Sequence, residues 1–236
     1  MKKLITILLS LTLLLSFIAC GHMEEAGEEG GEREIIKLKN FLLSPMEIEQ
    51  KEPTIESISL PYAELTEDEG QQYAESDELR IFADYALNEL GIELNENWQV
   101  FIHYYDTEKT LGMVQLRYYI GEIGTNKSIV FNLNNGIADT VYYSNLEGSV
   151  DEDEIISRVE GFKAKYEQEK YEIKDGEEIY GETTDFSYYY DTGDLVYCYN
   201  VFILTPEGVI NNDYGSECRI DENGNAKDCE IMLILE

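Results

Sequence analysis

The stretch SIVFNLNNGIADTVYY, residues 128–143, sets two apolar-rich runs on either side of Asn134-Asn135-Gly136. Asn and Gly accept the positive φ of a tight reversal, so this segment predicts a β-hairpin. Two alternating runs precede it. Over 98–105, Trp98, Val100, Ile102 and Tyr104 alternate with Gln99, Phe101, His103 and Tyr105. Over 113–120, Val114, Leu116, Tyr118 and Ile120 alternate with Gln115, Arg117 and Tyr119. Together the four runs predict an antiparallel meander. Further upstream, Ile55, Ile58 and Leu60 lie between Pro53 and Pro61 and suggest a short edge strand. Strand signals return at 184–190, 195–205, 217–221 and 226–235.

Two helices interrupt these strands. Leu79, Phe82, Ala86 and Leu90 recur at helical spacing over 76–90, with Ser76 placed to cap the start and Gly91 to end it. Ile155, Val159, Phe162 and Tyr166 make a second stripe over 149–166. There Ser149 and Glu152 have the spacing of a capping box.

The second half repeats the rhythm of the first. Tyr104-Tyr105-Asp106-Thr107 returns as Tyr189-Tyr190-Asp191-Thr192, and Phe131–Ala138 aligns with Arg219–Ala226. Under that alignment Val130 matches Cys218 and Val141 matches Cys229, a cross-strand valine pair against a candidate cysteine pair. The expected fold class is therefore α+β, two tandem units, each a helix packed on an antiparallel sheet of about four strands. Residues 51–148 form the first repeat and 149–236 the second. The order and the Asn-Gly hairpin resemble the PepSY-like or cystatin-like units of bacterial lipoproteins and peptidase propeptides. Arg219 and Asn225 depart from that pattern, where apolar residues are usual. The resemblance implies a role in modulating or inhibiting a peptidase, or in sensing at the cell envelope.

The beginning of the chain speaks to location. Lys2 and Lys3 precede the apolar run Leu4–Leu15, and Phe17-Ile18-Ala19-Cys20 follows. This resembles the lipobox signal of bacterial lipoproteins, with residues 1–19 as signal peptide. The resemblance implies diacylglyceryl modification of Cys20 and a protein held on the extracytoplasmic side of the cell membrane, its membrane partner reached through that lipid. Two or more acyl chains suffice for stable anchoring. Residues 20–50 read as an acidic flexible linker, since Gly21–Arg33 is rich in Glu and Gly and buries little.

Charge excludes whole classes of partner. Lys and Arg number 17 against 49 Asp and Glu, for −32. Without Lys2 and Lys3 the balance is 15 against 49, or −34. Such a surface repels nucleic acid and anionic headgroups.

Candidate chemistry is sparse. His103 is the one histidine inside the expected fold and Cys198 the one nucleophile that could use it, but an alternating strand is an ordinary place for a histidine. Asp221–Asn225 resembles a calcium loop only superficially, because the sixth position is Ala226 where an EF-hand needs Gly. No metal, cofactor or catalytic residue is expected. Cys218 and Cys229 flank an acidic turn and are candidate disulfide partners. With Asn223-Gly224 as a two-residue turn they would stand directly opposite each other. The remaining resource is tyrosine, 18 in all and often adjacent. Neighbours in a strand face opposite ways, so one of each pair should point outward. Tyr105, Tyr119, Tyr143 and Tyr189 are the candidate binding face. The expectation is a non-catalytic binding protein with a protein or peptide partner; the alternative is a solute- or glycan-binding lipoprotein that uses exposed tyrosines.

Overall fold

A computed structural model describes residues 48, 50–63, 65, 69–72, 77–167, 171–206 and 208–233. Cys20, the signal, nearly all of the linker and the capping residue Ser76 lie outside the described residues. The strands are β1 (Thr54–Pro61), β2 (Glu69–Gln72), β3 (Trp98–Tyr104), β4 (Leu111–Ile120), β5 (Ile123–Asn134), β6 (Ile137–Ser144), β7 (Glu178–Tyr188), β8 (Leu195–Leu204), β9 (Ile210–Ile220) and β10 (Ala226–Leu233). The helices are α1 (Arg80–Leu90), led in by a 3₁₀ turn at Asp77–Leu79, and α2 (Glu152–Lys165). The chain divides into two units, Gln50–Asp151 with Tyr188–Gly193, and Glu152–Ser187 with Asp194–Glu236.

In the first unit the strands run β2-β3-β4-β5-β6-β1. Every one of these pairings is antiparallel. Alternation sends Trp98, Val100, Val114, Leu116, Ile129, Phe131 and Val141 to one face, where α1 meets them with Phe82 and Ala86. The rings of Phe82 and Phe131 lie 4.8 Å apart. Gly91 ends the helix at φ +68°, and the Ile92 N–H donates to the Ala86 carbonyl over 2.9 Å. A glycine is needed there because a left-handed backbone carries a Cβ penalty for other residues.

In the second unit the order is β10-β9-β8-β7. Helix α2 buries Ile155, Val159 and Phe162. Phe162 stacks on Tyr166 at 4.5 Å and meets Tyr197 at 5.0 Å. The same helix grips the tip of the β9–β10 hairpin. Arg158 Nη2 donates to the Ile220 carbonyl over 2.6 Å, and Lys165 Nζ donates to the Asn223 carbonyl over 2.7 Å. Gly224 fits beneath it only as glycine, since a Cβ there would stand 2.8 Å from the Arg158 carbonyl oxygen.

These elements overturn the expected fold class. The chain is mostly β, with ten strands against two α-helices among the described residues, and not two tandem helix-on-sheet units of four strands. Three physical causes stand out. The segment before α1 supplies two strands of its own, so the first unit has six among the described residues. Strands are also longer than their alternation suggested: β5 begins at Ile123 and β9 at Ile210. Finally, the first unit's sheet buries side chains on both faces, with Phe101, Met113, Arg117 and Tyr119 covered on the side away from α1. The helix start of α2 is corrected as well: it begins at Glu152, which leaves Ser149 too far upstream to cap it.

The two hairpins differ from the expected register in a shared way. Asn135 (φ +49°) and Gly136 (φ +81°) make a two-residue turn that pairs Asn134 with Ile137. Past that turn the register shifts by one residue, so Val141 pairs with Phe131 and Val130 with Tyr142. The expected Val130–Val141 pair does not form. The β9–β10 connection is a five-residue loop instead, pairing Ile220 with Ala226, and its register shifts after Lys227. In each case the extra residue is an aspartate, Asp139 or Asp228, in a β-bulge on the returning strand. Asp228 adopts φ +49°.

Candidate binding face

The bulge at Asp139 decides which tyrosine faces outward. In an unshifted hairpin Tyr143 would share the face of Val130 and Ser128. With the shift, Tyr142 takes that place, and Tyr143 packs against the core cluster on the α1 side. There the Tyr143 hydroxyl donates to Glu56 Oε1 over 2.7 Å. That bond, then burial, raises its pKa.

The other three predicted tyrosines separate as well. Tyr119 is only 5% exposed, beside Phe101 and beneath the Arg117 guanidinium. Tyr189 is 6% exposed. Tyr105 alone is open, at 48%, just beyond the end of β3, and its ring meets that of His103 edge-on at 5.3 Å. The four residues therefore do not form one surface.

A different surface exists on the same side as Tyr105. The register places Tyr105 opposite Leu111, and Leu111 pairs with Asn134, which pairs with Ile137. Leu111 is 46% exposed and Ile137 41%. In the next rows stand His103 with Met113 and Asn132, then Val130 with Tyr142, and Tyr142 pairs onward with Ile55 of β1. Ile55 is 51% exposed. The Asn132 side-chain amide donates to the Tyr142 hydroxyl over 2.9 Å, which fixes that ring's outer end. Tyr105 has a raised pKa, first through partial burial and then through the nearby Tyr142 phenol. The result is a sheet end with exposed Tyr105, Leu111, Ile137 and Ile55 around a half-buried Tyr142, and it is Tyr142 that alternation without a bulge could not assign.

A second cluster in this unit is already filled by the protein's own groups. Asn126 Nδ2 donates to Asp191 Oδ1 over 2.7 Å, and the Tyr190 N–H donates to Asn126 Oδ1 over 2.8 Å. Asp191 Oδ2 accepts from the Lys51 N–H over 2.6 Å. Lys127 Nζ sits 5.1 Å from the Tyr118 ring centre and 5.2 Å from that of Tyr190, while donating to the Gly148 carbonyl over 2.8 Å. This is how Tyr188–Gly193 is held by the first unit. It is a fastening, with its cation supplied from within.

In the second unit Cys218 and Cys229 are joined as a disulfide, with Cα atoms 4.1 Å apart across the bulge. Cys198 is free and pairs in register with Glu217. Burial, then the carboxylates of Glu217 and Asp185, push its thiol well above the ordinary range. Such a thiol holds its proton at neutral pH and makes a poor nucleophile. The Asp221 carboxylate spends its acceptors on Asn223 and Asn225 N–H groups, which explains the acidic loop as a turn. No group of metal-ligating side chains occurs among the described residues.

No family model matches this chain, and neither a curated protein nor a solved structure matches it.

Proposed function

We propose that this chain is a lipid-anchored binding protein on the extracytoplasmic side of a bacterial cell membrane, acting without catalysis through the open sheet end around Tyr105 and Tyr142. The location rests on Lys2, Lys3, the apolar run and Cys20. The binding role rests on one observation: Ile55, Tyr105, Leu111 and Ile137, all 41–51% exposed, share one face with Tyr142. Isolated exposed apolar residues are ordinary, but several gathered on one sheet face mark an interaction surface. Tyrosine suits that role because it offers a large stiff contact area with a polar tip.

The partner is a protein or peptide. A peptidase is the first to try, on the strength of the propeptide resemblance. A Cys20→Ala chain tests the location: it should leave the membrane fraction and fail to incorporate labelled fatty acid. Retention in membranes after high-salt washing, with no label in the unaltered chain, would contradict the anchored reading.

A further inference from the structure

We propose that the face around Tyr105 and Tyr142 takes a cationic, extended peptide segment, with Arg or Lys side chains lying over the two rings and apolar side chains on Leu111, Ile137 and Ile55. This names the partner's chemistry for the binding face proposed above, and it rests on that reading.

The chain shows what its own tyrosines do with cations. Lys127 lies between Tyr118 and Tyr190, Lys109 lies 5.4 Å from the Tyr104 ring centre, and Arg117 lies 5.5 Å from that of Tyr119. Among the described residues no lysine or arginine lies over Tyr105 or Tyr142. Exposed Tyr105 and half-buried Tyr142 are therefore rings without a cation among the described residues, on a chain whose charge without Lys2 and Lys3 is −34. A ring face attracts a cation electrostatically, by about 0.5–1 kcal/mol at an exposed site and more once water is excluded.

Fixed negative charge stands close by. Asp106 follows Tyr105 directly. Its carboxylate accepts from the Thr110 hydroxyl and from the Thr110 and Leu111 N–H groups, the last at 3.0 Å. The Thr110 hydroxyl bond first, and the Leu111 N–H next, hold its pKa below the usual carboxylate value, so it stays ionised. At the far side of the row, Asp139 Oδ2 accepts from Asn134 Nδ2 over 3.2 Å. Carboxylates at both ends with aromatic and aliphatic side chains between them complement a segment that alternates basic and apolar residues.

The β1 edge does not invite simple strand addition, because Pro53, Pro61 and the irregularity between Ser57 and Leu60 blunt it. Side chains, rather than backbone pairing, must supply the recognition.

The test is titration calorimetry on the soluble chain Gly21–Glu236, with a soluble peptide alternating Arg and Leu. Its control carries citrulline for Arg, which keeps shape and removes charge. The proposal expects the Arg peptide to bind at least about tenfold more tightly than the citrulline peptide. Tyr105→Ala and Tyr142→Ala should each weaken it about tenfold, and Leu111→Gln should do so as a third, non-aromatic variant. Equal affinity for both peptides overturns the cationic assignment. So does Arg-peptide binding unchanged in all three variants, which would place it on diffuse surface charge. No binding, together with self-association that Tyr105→Ala abolishes, would assign the face to a second copy and overturn the proposal. The binding role itself is read separately, by capture of a native partner, so either can fail while the other stands.

Discussion

Cys198 shows how one residue's surroundings settle its chemistry. A free thiol in a strand is the one nucleophile that could work with His103, yet it lies against Glu217, which is 6% exposed, and under the influence of Asp185. Folding raises its pKa, so the folded chain keeps a proton that the unfolded chain releases. The stability this group contributes is therefore complete below the unfolded thiol's pKa and is lost as pH rises toward the folded value. A thiol-alkylating reagent at pH 8 should label Cys198 at least about tenfold more slowly in the native chain than in urea. Equal rates would mean that the thiolate is not suppressed. Tyr197 next to it behaves alike: burial, then Tyr166, push its phenol up to about 12. Neither effect could be read from sequence, because both arise from the pairing of β8 with β9 and the covering by α2.

At the scale of elements, the turns carry the specificity of the fold, and glycines in them are not equivalent. Gly136 has φ +81° with open space around it, whereas Gly224 has φ +71° and backbone atoms of α2 within 2.8–3.0 Å of a Cβ. Gly136→Ala should cost about 1 kcal/mol, from backbone conformation alone. Gly224→Ala should cost more than about 2 kcal/mol, because α2 must also lift from the β9–β10 tip. Urea denaturation of the two variants checks the ranking; equal losses would show that the helix does not press on that turn. These elements also mark what was legible in the sequence. Alternation located the core of β3, β4, β5 and β6, and the Asn135-Gly136 turn follows from residue type. Helix stripes were equally readable: Phe82, Ala86, Ile155, Val159 and Phe162 are buried as their spacing required. The bulges at Asp139 and Asp228 were not readable, since a single inserted residue leaves no compositional trace. Asp139 moved the outward position from Tyr143 to Tyr142, and Asp228 placed Cys229 against Cys218 in spite of a five-residue loop.

At the scale of the whole molecule, strong net negative charge goes with a partly apolar sheet face around Tyr105. Fold class was misread because composition and rhythm weighted two helices equally with the strands, while strand outweighs helix among the described residues and the sheet is covered on both sides in the first unit. Tyr119 was misassigned for the same reason: a sheet buried on both faces hides outward residues too. Several exposed apolar side chains share one sheet face at the Tyr105 end, and the central claim is that this end binds a protein. The most direct measurement immobilises the mature chain and, in parallel, a Tyr105→Ala/Leu111→Gln chain, and passes the source organism's envelope and secreted proteins over both in moderate salt. Salt at that level screens diffuse attraction between exposed charges. The account predicts a discrete protein retained by the unaltered chain and lost from the double variant, with both chains unfolding at the same temperature. Retention that is identical on the two chains, or absent from both, would contradict it.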